Sequence, residues 1–403
     1  MSDEVRATGL DPARQHHHPN PPPSVAEGGG SRSGFDGGRG SPRHPSAEGR
    51  VQGEPAPYEP VRREARADSS ALGSDLYGPT YAALDLGTNN CRLLVARATH
   101  EGFRVIDAFS RIIRLGEGIT ASGRLGAPAI GRAIEVLRIC RDKMRNRGVT
   151  RARLIATEAC RLAENGEAFL DQVREEVGIS LEIVDRETEA MLAAIGCTPL
   201  VDPEAEGAIL FDIGGGSSEI ASLGRPRASR RGPPEPAMRG WTSLPVGVVT
   251  LAERHGGITV TREIFETMVA EAAALIAPFA RELGSHKING HLLGTSGTVT
   301  TIAGVHLGLK RYDRRRVDGC WMMDGEVTEV MERLLAMSYD DRVCNACIGA
   351  ERADLVLAGC AILEAIRRAF PSARLRVADR GLREGMLVQM MRADGVWREA
   401  GVL

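Results

Sequence analysis

Residues 81–96, YAALDLGTNNCRLLVA, and residues 207–222, GAILFDIGGGSSEIAS, follow one plan. Each runs through an apolar stretch, an Asp, a Leu or Ile, a Gly, a small polar corner and a second apolar stretch. Apolar runs that meet at Gly/Asn or Gly/Ser corners read as paired strands. The separation of Asp85 from Asp212 far exceeds any solenoid period. The echo therefore predicts a duplicated α/β domain, two related lobes whose Asp–Gly turns face a common cleft.

Working outward from the first copy, a strand is expected near 105–109. A helix follows at about 128–145, with Ile130, Ile134, Leu137 and Met144 close to one face. A strand at 153–156, a helix at 167–177, a strand at 181–184 and a helix from about 188 complete a first lobe, 79–195. The second lobe, 196–403, opens on the second copy. A basic, Pro-rich stretch at 225–240, RPRASRRGPPEPAMRG, interrupts it as a hairpin extension. The run WTSLPVGVVTL then resumes the strand pattern, and helices fill most of the rest, with strands at 291–293 and near 375–377. Residues 1–78 are rich in Gly, Pro, Ser and Arg. They cannot bury enough surface to offset chain entropy, so a disordered tail is expected.

The 403 residues suit two domains and a tail. Hydrophobic residues make up 42% but aromatics only 4%, so aliphatic side chains and Ala carry the packing. A net charge of −2 supplies no whole-chain attraction to nucleic acid or membrane. Polyanion binding has to come from local sites. No apolar run reaches membrane-spanning length, and the N-terminus lacks a signal-peptide core. Eight scattered Cys suit reduced thiols, and a cytoplasmic location is expected. His16, His17 and His18 read as incidental. Cys344 and Cys347 have zinc half-site spacing without a second half, so they read as ordinary thiols near a helix start.

Three loops carry anion chemistry. In the first, Gly87 allows a turn that aims N–H groups at an anion, Thr88 and Asn89 add side-chain donors, and Asp85 can hold Mg²⁺ through water. Taken alone, this loop is more simply a hairpin turn with a capping Asp. The second loop weighs more. Gly214, Gly215 and Gly216 in a row cost backbone entropy and make poor structure unless something approaches closely, and Ser217 follows them. Asp212 and Glu219 set a carboxylate at each side. The third loop, Gly294, Thr295, Ser296, Gly297 and Thr298, opens a helix whose N–H groups and dipole attract anions. Ser and Thr are also ordinary caps there, so alone it is weak. On the residues alone, Glu189 is a first-turn charge on a solvated helix.

Ten segments occur in the order found in a known family: ALDLGTNNCRLLVA, RLGEGI, ATEACR, ETEA, FDIGGGSSE, LPVGVV, GTSGTVTT, YDRRRVDG, ERADLVLAGCAIL and ADRGLREGML. From about 81 to 391 the chain resembles the Ppx/GppA family, which has the actin-like (ribonuclease H-like, ASKHA) fold with a cleft between its lobes. The resemblance implies Mg²⁺-dependent release of terminal phosphate from polyphosphate, from guanosine pentaphosphate, or from both. It makes Glu189 the residue that positions or deprotonates the attacking water, and Glu219 its helper at the metal or water. Asp85 and Asp212 match metal-associated positions, and Arg92 and Arg352 match positions that touch the phosphate or guanosine ligand. The chemistry agrees, since phosphoryl transfer needs mainly positioning and charge neutralisation, plus a carboxylate for the in-line water.

The chain departs from the pattern at Met191, where the family often has a polar or basic residue. The longest members carry a further helical metal-binding domain, expected to be missing here, with less surface to hold a long polyphosphate. Solvated surface arginines are the alternative reading of Arg92 and Arg352. Two rival classes stand beside the hydrolase: a non-catalytic sensor of the same phosphates, and an actin-like kinase or ATPase. Sequence-specific nucleic acid and membranes are not expected partners, and a homodimer is allowed.

Overall fold

The computed structural model describes residues 78–229, 232–284 and 290–397. The expected tail, with its three His, lies outside the described residues, except for Gly78.

Two mixed sheets repeat one topology. In the first, β1 (Thr80–Leu86), β2 (Asn90–Ala98) and β3 (Phe103–Ile112) form an antiparallel meander. Alongside β1 run, in parallel, β4 (Arg151–Ala156) and then β5 (Glu182–Ile183), giving the order β3-β2-β1-β4-β5. In the second, β6 (Gly207–Ile213), β7 (Ser218–Gly224) and β8 (Met238–Leu244) repeat the meander. Next to β6 come β9 (His291–Thr295), β11 (Arg374–Val377) and the short edge strand β10 (Trp321–Met323). The expected strands and helices fall close to these positions, and the repeat seen in sequence is a repeat of topology.

The register aligns the two copies residue by residue. Asp85 stands opposite Arg92 on β2, and Asp212 stands opposite Glu219 on β7. Both hairpins close alike: Gly87 N–H donates to Asn90 O at 2.9 Å, and Gly214 N–H donates to Ser217 O at 2.9 Å.

The central strands of both sheets are buried on both faces, which explains their near-continuous apolar runs. Phe211 is fully buried in the larger core, directly under Gly294, where a Cβ would come 2.5 Å from its ring. Cutting Phe211 back to Ala should cost about 3–5 kcal/mol.

Two helices join the halves. Arg186–Cys197 packs Ala193, Ala194 and Cys197 against the second sheet, while its Leu192 and Ile195 join a cluster with Tyr81, Ala83 and Leu94 of the first. Leu382–Ala393, which chain order places in the second half, returns to cover β1 and β2 with Met386, Leu387 and Met390. Gly385 makes that closeness possible, since a Cβ there would lie 2.1 Å from Leu192 O.

One stretch differs from its sequence reading. WTSLPVGVVTL is half strand and half helix: β8 ends at Leu244, and Val248–His255 is helical. The β-branched Val248, Val249 and Thr250 favour a strand locally. Tertiary hydrogen bonds override them, because Val248 N–H donates to Gly214 O at 2.9 Å and Val249 N–H to Gly215 O at 2.8 Å. The 225–240 stretch does extend the β7–β8 hairpin, through an Arg227–Glu235 bridge, and its last residues belong to β8. Cys344 and Cys347 lie at the end of the Tyr339–Cys344 helix rather than near a helix start.

Candidate active site

The two Asp–Gly turns meet face to face. A Cβ on Gly215 would come 2.9 Å from Thr88 Cβ, and one on Gly216 would come 2.9 Å from Thr88 Oγ1 and 3.1 Å from Glu158 Cγ. Here glycine is required by close approach of one turn to the other.

Between them lies a cavity of ≈ 90 Å³ walled by both turns and by Asp85, Glu189, Asp212 and Glu219. Each carboxylate feels its neighbours. Burial raises the Glu189 pKa to about 7, with Asp85 adding to the rise. Burial raises Asp212 to about 6, again helped by Asp85. Burial raises Glu219 to about 8, with Glu189 and Asp212 adding to it. Asp85 is raised by burial and pulled back down by Arg92 and Arg383. Such crowding of like charges, two buried and two half-buried, marks a site suited to receive positive charge or to move protons.

Local structure sets each carboxylate. Glu189 sits in the first turn of Arg186–Cys197, started by Asp185, whose side chain accepts from Thr188 N–H at 2.7 Å. Far from solvated, Glu189 is 5% exposed. Arg161 donates to Glu189 Oε2 at 2.7 Å and also pairs with Glu158, while Arg186 holds the other Glu158 oxygen at 2.6 Å. Glu219 accepts from Ser217 Oγ at 2.8 Å and Ser243 Oγ at 2.9 Å.

All four groups are hard oxygen donors of the kind Mg²⁺ prefers. Among the described residues, no three His, Cys, Asp or Glu converge into a direct metal cage.

Arg92 passes from this cavity into a second, of ≈ 440 Å³, lined by Phe109, Tyr312, Arg314, Arg352, Asp379 and Arg383 among others. Among the described residues, the guanidinium groups of Arg92, Arg352 and Arg383 have no side-chain hydrogen-bond or ion-pair partner. Burial lowers the pKa of Arg352 and of Arg383, and Arg92 presses on both. Unpaired guanidiniums crowded together call for an anion. A third, smaller cavity links the turns to Arg352 through Ser296, Gly297 and Thr298.

A sequence profile of the Ppx/GppA phosphatase family matches residues 94–394. The chain belongs to that family. It is similar to the guanosine-5′-triphosphate,3′-diphosphate pyrophosphatases of Aeromonas hydrophila and Aeromonas salmonicida, each 27% identical over 317 residues. Those matches cover 78% of this chain but 60% of each relative, so the chain spans about three fifths of their length. Among solved structures it is similar to the Ppx/GppA protein of Aquifex aeolicus, 26% identical with a TM-score of 0.64, covering 78% of this chain and 98% of that one. An exopolyphosphatase from Cytophaga hutchinsonii, at 22% identity and a TM-score of 0.69, covering 78% and 98%, shares the fold. The duplicated sheets of this Ppx/GppA chain are the actin-like fold.

Most residues singled out in the sequence gather at these cavities. Asp85, Gly87, Thr88, Asn89, Arg92, Glu189, Asp212, Gly214, Gly215, Gly216, Ser217, Glu219 and Ser296 line the first cavity. Gly297, Thr298 and Arg352 line the third. The amides of Gly87 and Gly214 are spent on the turns themselves. Gly294 and Thr295 end β9 and line none of these cavities. Gly294 makes room for Phe211, and Thr295 Oγ1 donates to Arg380 O at 2.6 Å. The helix instead starts at Ser296, whose φ of 82° is unusual for a residue with a side chain.

Sequence reasoning gave no role to Glu158, Arg161, Arg314, Tyr312, Asp379 or Arg383 in this Ppx/GppA chain. They lie in the segments ATEACR, YDRRRVDG and ADRGLREGML. The available signal was that these residues lie in segments that carry the family resemblance. Among the described residues, every Cys is unbridged, and no helix is long and apolar enough to cross a membrane.

Proposed function

We propose that this chain is a Mg²⁺-dependent phosphoanhydride hydrolase that removes the terminal phosphate of guanosine pentaphosphate or of inorganic polyphosphate. One observation carries the reading: four carboxylates, Glu189 and Glu219 buried and Asp85 and Asp212 half-buried, ring a small cavity that opens, through Arg92, onto a larger one where, among the described residues, Arg92, Arg352 and Arg383 have no side-chain partner. A phosphate chain laid across Arg92 would put its end among the carboxylates and its remainder against Arg352 and Arg383.

Glu189 takes the proton of the attacking water. Its pKa of about 7 suits a base working near neutrality, and Arg161 fixes its orientation. The water oxygen attacks the terminal phosphorus, the bridging P–O bond breaks, and orthophosphate leaves beside the shortened anion. The amides at the start of Ser296–His306 and the free arginines hold the oxyanions in line. Mg²⁺, held through water by Asp85, Asp212 or Glu219, would supply charge neutralisation on the phosphoryl oxygens.

The test is phosphate release by wild type and Glu189→Ala on long-chain polyphosphate and on guanosine pentaphosphate, each with Mg²⁺ and with EDTA. Turnover lost in the variant and in EDTA supports the reading, and the faster substrate names the specificity. Tight binding without turnover would make the protein a sensor of these anions. Phosphate transfer from ATP to an acceptor alone would make it a kinase.

A further inference from the structure

Residues 113–120, RLGEGI with its flanks, line none of the three cavities, yet they bond the first Asp–Gly turn and two segments that support other walls of those cavities. Their backbone holds the first Asp–Gly turn. Ile113 N–H and Arg114 N–H both donate to Asn89 O, at 2.9 and 3.1 Å, and Gly116 N–H donates to Thr88 O at 2.9 Å. Gly116 is needed for this approach, since a Cβ there would lie 2.3 Å from Thr88 Cγ2.

The same segment reaches across to the second half at two points. Arg114 forks onto Asp354, with its two guanidinium nitrogens at 2.8 and 3.0 Å from the carboxylate oxygens, and it also donates to Glu351 O at 3.1 Å. Glu253 accepts from Gly118 N–H at 2.9 Å and from Thr120 Oγ1 at 2.7 Å. Neither partner is incidental. Asp354 lies two residues from Arg352, in a loop held from behind by Arg342, which donates to Ala353 O at 2.8 Å. Glu253 belongs to the helix Val248–His255, whose first amides hold Gly214 and Gly215.

Arg114 adopts a φ of 47°, in the left-handed region that a residue with a long side chain seldom enters. Backbone strain of this kind persists where the surroundings over-determine it, commonly at functional sites. A bidentate, half-buried Arg–carboxylate pair is also more specific than an exposed ion pair.

We propose that residues 113–120 form a clasp that sets the width of the phosphate cleft, with Arg114 and Glu253 as positioning residues. One segment fixes Thr88 and Asn89, the triple-Gly turn by way of its helix, and the loop that carries Arg352. The inference rests on the hydrolase reading for its kinetic consequence but not for its structural one.

Two measurements test it on the full chain. In Arg114→Met and in the nearly isosteric Asp354→Asn, hydrogen exchange should quicken at the amides of residues 86–90 and 351–356. In the same variants KM for the phosphate substrate should rise on the order of tenfold while kcat falls less, the mark of lost uniform binding. The swapped pair Arg114→Asp with Asp354→Arg should recover part of the KM, since Asp tolerates a left-handed backbone. Unchanged exchange in both segments, or a KM defect that the swap leaves untouched, would overturn the clasp. If wild type releases no phosphate, the hydrolase reading fails on its own and the exchange result alone decides this one.

Discussion

Arg92 and Glu219 hold the same register position in the two sheets, each opposite an Asp that is the next-to-last residue of the preceding strand. The duplicated hairpin has thus become a guanidinium on one side of the cleft and a carboxyl group on the other. Glu219 is closed in by Ser217 and Ser243, while the Arg92 guanidinium lies between two cavities with no side-chain partner among the described residues. The division matches the chemistry proposed, phosphate oxygens on one side and metal or water on the other.

Arg92→Ala should therefore weaken substrate binding more than it slows turnover. Hydrogen bonds to charged groups contribute about 1.5–3 kcal/mol, so KM should rise roughly 10- to 100-fold. Initial rates over a range of substrate and salt concentrations check this. An unchanged KM would remove Arg92 from the binding track.

Glu189→Gln keeps shape and hydrogen-bonding capacity but cannot accept the proton. Its kcat should fall by about 10²–10⁴-fold, with substrate affinity within a few-fold of wild type. Single-turnover phosphate release together with equilibrium binding separates these terms. Full activity in the variant would assign the base elsewhere.

Gly247→Ala should cost stability as well as activity. A Cβ at Gly247 would lie 2.4 Å from the backbone of Gly215, and backbone cannot move aside as a flexible side chain can. Overpacking typically costs about 1–3 kcal/mol, and here the strain falls on the triple-Gly turn. Denaturant unfolding should show the midpoint drop, whereas Gly118→Ala, with open space around it, should show only the smaller penalty of its φ of 74°.

His291, buried beneath the edge-on ring of Trp321, accepts from Asp202 N–H at 3.0 Å and so is held neutral. Burial lowers its pKa below the ordinary value of 6.5. Below that pH the unfolded chain takes up a proton that the folded chain resists, so stability should fall as pH drops from 6.5. Unfolding midpoints of wild type and His291→Gln across pH 5–8 check this: the variant should be less stable at neutrality and should lose part of the acid dependence.

The sequence alone determined a good deal. The two Asp–Gly hairpins, their duplication and the carboxylates Asp85, Asp212 and Glu219 were legible because strand pairing and tight turns are local and leave Gly and Asp at fixed offsets. Local pattern failed where long-range contacts outweighed it. Val248–His255 is helical because its first amides find the carbonyls of a turn more than thirty positions earlier. Gly294 and Thr295 look like an anion loop, yet they serve the packing of Phe211 and a bond to Arg380. Only the tertiary structure decided that Glu189 is buried against Arg161, that the guanidiniums of Arg92, Arg352 and Arg383 stand around one cavity without a side-chain partner among the described residues, and that Arg114 grips Asp354. Burial and charge pairing arise between segments far apart in the chain, and no spacing along it encodes their distance in space.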